Sequence, residues 1–129
     1  MKEKQKKRIL VADDDPVIRL LINEILAGQD YELEVVSSGE ACLKSLQDNT
    51  PDLLLLDVIM PEMNGIEVLE AIRKQYSSTQ FPIIMLSTNT ETEAPYNTNQ
   101  LSPDCYLQKP FLAEKALETI QSFIEDEST

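Results

Sequence analysis

Leu53-Leu54-Leu55-Leu56-Asp57 is the stretch that decides the fold. Four consecutive leucines leave no polar face. A strand built from them is covered on both sides, which places it at the centre of a parallel sheet. Two similar runs flank it in the chain. Ile9-Leu10-Val11-Ala12 comes before it, and Ile83-Ile84-Met85-Leu86, opened by Pro82, comes after. Tyr31 to Val36 alternates only by halves and reads as a strand nearer an edge. Tyr106-Leu107-Gln108 makes a short fifth strand.

Helical periods fill the gaps. Asp15 and Pro16 read as N-cap and first helical position. Val17, Ile18, Leu21, Ile22, Ile25 and Leu26 follow at spacings of one, three and four, up to Gly28. Ser37 with Glu40 reads as a capping box. The helix it opens packs through Ala41, Cys42, Leu43 and Leu46 and stops before Thr50-Pro51. A turn over Pro61 to Gly65 leads to a helix with Ile66, Leu69 and Ile72 inward. The last helix uses Ala116, Leu117, Ile120, Phe123 and Ile124. Strands alternating with helices imply a parallel sheet with helices on both faces. With right-handed crossovers, the expected fold is α/β, a doubly wound five-stranded parallel sheet of order 2-1-3-4-5. One segment breaks the rhythm. Asn89 to Asp104 is nearly all polar and carries Pro95 and Pro103, so the fourth helix of the alternation is expected to be short or degraded.

Composition narrows the chemistry. The chain has 129 residues, room for one domain. Twenty-three acids against eleven bases give a net charge of −12. Direct nucleic-acid binding and an anionic membrane surface are disfavoured by that charge. Histidine is absent, which excludes a Ser-His-Asp triad, a Cys-His pair and a histidine-ligated zinc site. Cys42 and Cys105 match no metal or redox spacing and read as reduced, half-buried structural residues. The basic start, Met1 to Arg8, is followed by too short an apolar run for a signal peptide or a membrane span. A cytoplasmic location is expected.

Ligands of open α/β sheets bind beyond the carboxyl ends of the strands. Strand 1 ends there in Asp13-Asp14-Asp15, strand 3 in Asp57, strand 4 in Ser87-Thr88 and strand 5 in Lys109-Pro110. In the expected order Asp13, Asp14 and Asp57 converge at the switch point. Three carboxylates in one crevice repel one another, and a hard cation such as Mg²⁺ relieves this. The Ile59 carbonyl is placed to complete the protein ligands. Lys109 suits one phosphoryl oxygen and Ser87 offers a hydroxyl to another. The set points to phosphoryl transfer onto an aspartate. Each part alone has a plainer reading: an acid triplet before a helix as cap and dipole feature, a lone Asp after a strand as turn chemistry. The conjunction carries the functional one.

Ile9 to Pro16, Leu56-Asp57-Val58-Ile59-Met60-Pro61-Glu62-Met63-Asn64-Gly65, Leu86-Ser87 and Tyr106-Leu107-Gln108-Lys109-Pro110-Phe111 resemble the receiver domain of two-component response regulators. The likeness is to the single-domain, chemotaxis-regulator type and runs from about Lys7 to Ile124. The resemblance implies a flavodoxin-like fold and a phosphoprotein of a phosphorelay, not a classical enzyme. It implies Asp57 as phosphoacceptor, Asp14 as the more direct Mg²⁺ ligand, and Asp13 acting through water. It further implies Ser87 and Tyr106 as switch residues, and a cis peptide bond before Pro110 that positions Lys109. The phosphoryl group would come from a sensor histidine kinase or histidine phosphotransfer protein, and the switch would control a downstream effector. A chain without histidine receives rather than donates in such a relay. Three departures stand out: Thr88 where a small residue is usual, Ser102-Pro103 in place of a Gly-Ala pair, and the weak segment 89–104.

The alternative is a non-phosphorylated pseudo-receiver acting as a protein-interaction module. Loss of Asp57, an acid-pair residue or Lys109 would favour it; none is lost, and the weak segment 89–104 is its only support. A dehalogenase-type phosphatase would place its nucleophile after strand 1 in a larger chain. A flavodoxin needs a hydroxyl- and glycine-rich phosphate loop where this chain has three aspartates. No output domain is legible after Ile124. The chain reads as one receiver domain over 1–129 with its core at about 7–124, either standing alone or cut from a longer protein. Met1 and the lysine-rich lead-in favour the former.

Overall fold

The fold is taken from a computed structural model that describes residues 6–60, 65–76, 81–87 and 104–124. Five strands, β1 (Lys7–Ala12), β2 (Tyr31–Val36), β3 (Leu53–Asp57), β4 (Ile83–Ser87) and β5 (Cys105–Gln108), form one sheet. Its order is β2-β1-β3-β4-β5 and every pairing is parallel. The described helices are α1 (Pro16–Leu26), α2 (Gly39–Asp48), α3 (Gly65–Gln75) and α4 (Ala113–Ile124). The expectation of a degraded helix between β4 and β5 falls on residues outside the described ones, apart from Asp104.

Strand alternation sorts the core into two layers. Leu10, Ala12, Leu54, Leu56, Ile83 and Met85 turn to one side and pack with Cys42 and Leu46 of α2 and Val68, Leu69 and Ile72 of α3. Ile9, Val11, Leu53, Leu55, Ile84 and Leu86 turn to the other. There they meet Ile22 and Leu26 of α1 and Ala116, Ile120 and Ile124 of α4. All five residues of β3 are buried, as a central strand requires. β2, at the edge, is only partly buried.

The structure adjusts several details. β1 begins two residues earlier than its apolar run, because Lys7 and Arg8 pair with Tyr31 and Glu32. The α2 cap is Ser38, whose Oγ accepts from the Ala41 amide at 3.1 Å. Ser37 is not the cap: α2 starts at Gly39, and its first intrahelical bond runs from the Cys42 amide to the Ser38 carbonyl at 3.0 Å. Cys42 is fully buried rather than half-buried, and burial with the Glu34 charge pushes its thiol up to about 12. Cys105 is half-buried, and both cysteines are free.

A clasp closes the sheet opposite the site. Asp104 Oδ2 accepts from the Ile83 amide at 2.8 Å and from Arg73 Nη2 at 3.3 Å, tying β4, α3 and the start of β5 together. Asp104→Ala leaves that amide and a mostly buried guanidinium without their acceptor. It should lower stability by about 1–3 kcal/mol in urea denaturation, with the slope unchanged.

Candidate functional site

The site is built by strand ends. Asp13 and Asp57 share the alternation of Ile9, Val11, Leu53 and Leu55, and Lys109 shares that of Leu107. All three therefore emerge on the same side of the sheet, Asp57 in the last ladder pair of β3 with β4 and Asp13 and Lys109 just past the ends of β1 and β5. Lys109 Nζ lies 2.9 Å from Asp13 Oδ2 and 3.2 Å from Asp57 Oδ1. Asp13 is fully buried, Asp57 is 5% exposed, and Asp14 is exposed. Oxygen atoms of these three carboxylates lie within 4.8 Å of one another.

A cleft of about 490 Å³ opens over them. Asp14, Asp15 and Pro16 line one wall, Val58 and Ile59 another, and Leu86, Ser87 and Lys109 a third, with Asp57 among them. Ser87 is 1% exposed. The Ile59 amide donates to Asp57 Oδ1 at 3.3 Å, while the Ile59 side chain is 64% exposed at the mouth. The Lys109–Pro110 peptide bond is cis. Tyr106 lies on edge strand β5, half-buried against the layer that holds Met85. All the site residues singled out from the sequence thus gather at this end except Tyr106, which stands on the adjoining strand.

Electrostatics follow from burial. Desolvation raises the Asp57 carboxyl to about 7; the Asp13 charge adds to this, and Lys109 works against it. For Lys109, desolvation pulls downward but is outweighed by its bonds to Asp13 and Asp57, and the net shift is upward. Three carboxylates against one ammonium leave an excess of two negative charges when all are ionised. The donor set is oxygen only, and it fits a hard divalent cation such as Mg²⁺.

Two features were not read from the sequence. Arg19 Nη1 donates to the Asp13 carbonyl at 2.9 Å. Its signal was available, since Arg19 is the only charged residue between Asp15 and Glu24. Gly65 opens α3 directly against the loop after β3, its amide donating to the Val58 carbonyl at 2.7 Å. A Cβ there would run into the Asp57 carbonyl oxygen and stand 2.8 Å from Val58 Cα. Asp15 is the N-cap of α1, as its place before Pro16 implied.

A buried aspartate, an acid pair and a lysine meet at the switch point of a doubly wound sheet. The response regulator receiver domain model matches residues 9–121, and the chain belongs to that family. It is 32% identical to the DNA-binding response regulator MtrA of Mycolicibacterium smegmatis, over 91% of this chain and 50% of that protein. It spans half or less of the length of the first curated relatives it matches. Among solved structures it resembles chemotaxis protein CheY4 of Vibrio cholerae, with TM-score 0.83 and 32% identity, covering 92% of this chain and 99% of that one. It also resembles the receiver domain of sensor histidine kinase PA1611 from Pseudomonas aeruginosa PAO1, with TM-score 0.83 and 27% identity over 95% of this chain and all of that one. That structure carries a magnesium ion in the active-site cleft. Among the described residues no helix is long and apolar enough to cross a membrane.

Two outcomes are expected. Because Asp57 titrates higher in the folded chain, the folded state holds a proton that the unfolded chain has released between about pH 4 and 7. Stability therefore falls as pH rises through that window. Without divalent cations, Asp57→Asn should melt higher than wild type at pH 8, by the equivalent of roughly 1–3 kcal/mol, and the gap should close by pH 4. Thermal melts across that range check it. Gly65→Ala, forced against backbone, should cost about 2 kcal/mol or more by chemical denaturation.

Proposed function

We propose that this receiver accepts a phosphoryl group on Asp57 from a phosphohistidine of a partner, with Mg²⁺ as cofactor. The observation that carries the reading is the placement of a buried Asp57 carboxylate between Lys109 and the acid pair, at the floor of one open cleft. Asp13, Asp14, Asp57 and the Ile59 carbonyl would hold Mg²⁺. When bound, the cation supplies positive charge to the carboxylates and to the phosphoryl oxygens.

The chain's own residues do the rest. Lys109 and the Ile59 amide both bond Asp57 Oδ1, so we assign attack on phosphorus to Oδ2. The new bond is Oδ2–P. The bond that breaks is P–N, its electron pair returning to the partner's imidazole. Lys109 then holds one phosphoryl oxygen and the Ser87 hydroxyl another. Ser87 moves toward the group and Tyr106 turns inward behind it, which alters the surface offered to an effector. Fitting partners are a sensor histidine kinase or a histidine phosphotransfer protein on the input side and an effector protein on the output side. Catalysis is confined to the domain's own phosphorylation and dephosphorylation. The described core extends from Lys7 to Ile124, and we read it as one domain acting in the cytoplasm.

Intact mass after incubation with acetyl phosphate tests this. A single phosphoryl adduct should appear with Mg²⁺, vanish on chelation, and be absent from Asp57→Asn and Asp57→Ala. Lys109→Ala should still bind Mg²⁺ but lose the conformational response. Wild type that takes no phosphoryl group from acetyl phosphate or from a phosphohistidine donor overturns the reading in favour of a pseudo-receiver.

A further inference from the structure

We propose that Arg19 is a positioning residue for the cation site, acting through the peptide that joins Asp13 to Asp14; this rests on the Mg²⁺ reading above. The Asp13 amide makes the last bond of the β1–β2 ladder, to the Val36 carbonyl at 3.1 Å. In a parallel ladder the carbonyl of the same residue faces the same neighbouring strand. β2 has ended at Val36, and Ser38 is already the cap of α2. Among the described hydrogen bonds the ladder gives the Asp13 carbonyl no donor, and Arg19 Nη1 takes that place at 2.9 Å.

Asp13 is 0% exposed, so its carbonyl has no water to turn to. That carbonyl belongs to the peptide plane joining Asp13 to Asp14, and its orientation sets where the Asp14 carboxylate leaves the chain. The Asp13 side chain is fixed independently, by the Asp15 amide on Oδ1 at 2.9 Å and by Lys109 on Oδ2. Asp14 is exposed and lines the cleft. Arg19 therefore clamps the one hinge between a fixed carboxylate and an exposed one. Its own backbone amide is in the first turn of α1, bonded to the Asp15 carbonyl at 3.0 Å. The clamp thus refers the acid pair to a helix rather than to a loop.

The experiment is a Mg²⁺ titration of Arg19→Met and Arg19→Lys against wild type, followed by ¹H–¹⁵N NMR shifts. Acetyl phosphate labelling is then measured as a function of Mg²⁺. Loss of an outer support of a metal ligand typically weakens affinity 10–100-fold. Arg19→Met should raise the Mg²⁺ Kd about tenfold or more, and Arg19→Lys, which keeps one donor, should raise it less. The labelling rate of both should recover to the wild-type value at saturating Mg²⁺, which a general loss of structure would not allow. A folded Arg19→Met with wild-type Kd overturns the proposal, as does a rate that stays low when Mg²⁺ is saturating. If Arg19→Met does not fold, the Arg19→Lys titration decides: a weaker Kd supports the proposal and an unchanged one overturns it. Failure of the underlying Mg²⁺ reading looks different, because every titration, wild type included, would then be flat.

Discussion

Lys109 between Asp13 and Asp57 is the interaction on which the rest of the structure depends. Two carboxylates are buried side by side at the ends of the adjacent apolar runs Ile9–Ala12 and Leu53–Leu56. An unpaired charge in such a place is costly, and two like charges cost more. The ammonium reaches them from β5, two strands away from β3, and is itself held charged by the contact. The edge strand is thereby joined to the centre of the sheet by charge as well as by its ladder to β4. The compensation is incomplete, since one cation faces three acids. This shortfall, set by strand order and side-chain parity, suits the cleft to a divalent cation.

Burial raises the Asp57 carboxyl toward neutrality, which makes the free site responsive to cations. Gly65 keeps the floor of the cleft thin, because α3 begins directly against the backbone that carries Asp57. The walls differ in character. The Asp13 side is fixed by three elements, β2, α1 and β5, while Asp14 and Ile59 stand exposed at the mouth.

Most of the fold was legible because its signals are local. Leu53 to Leu56 has only one comfortable environment, and the half-alternation of Tyr31 to Val36 marks an edge. The site was legible because strand order turns residues far apart in sequence into neighbours. What escaped depends on geometry that no spacing encodes. Lys7 and Arg8 are polar, and join β1 only because β2 offers them a ladder. Ser37 and Ser38 differ by one position in the turn, and the chain's path rather than its composition selects Ser38. The Gly65 contact with the Asp57 carbonyl and the Arg19 bond to the Asp13 carbonyl involve backbone oxygens, whose partners are set by tertiary structure.

The shared parity of Asp13, Asp57 and Lys109 bears on how the chain finds its own pairing. Slipping β3 by one residue against β1 would turn Asp57 into the layer of Leu10, Ala12 and Val68, while Asp13 stayed behind with Lys109. A run of four leucines carries almost no information about register, since every offset buries the same kind of side chain. The aspartate that follows it does carry that information. The acidic end of β3 therefore acts during folding as a register mark, and the same carboxylate that defines the site discriminates the correct sheet from its near misses.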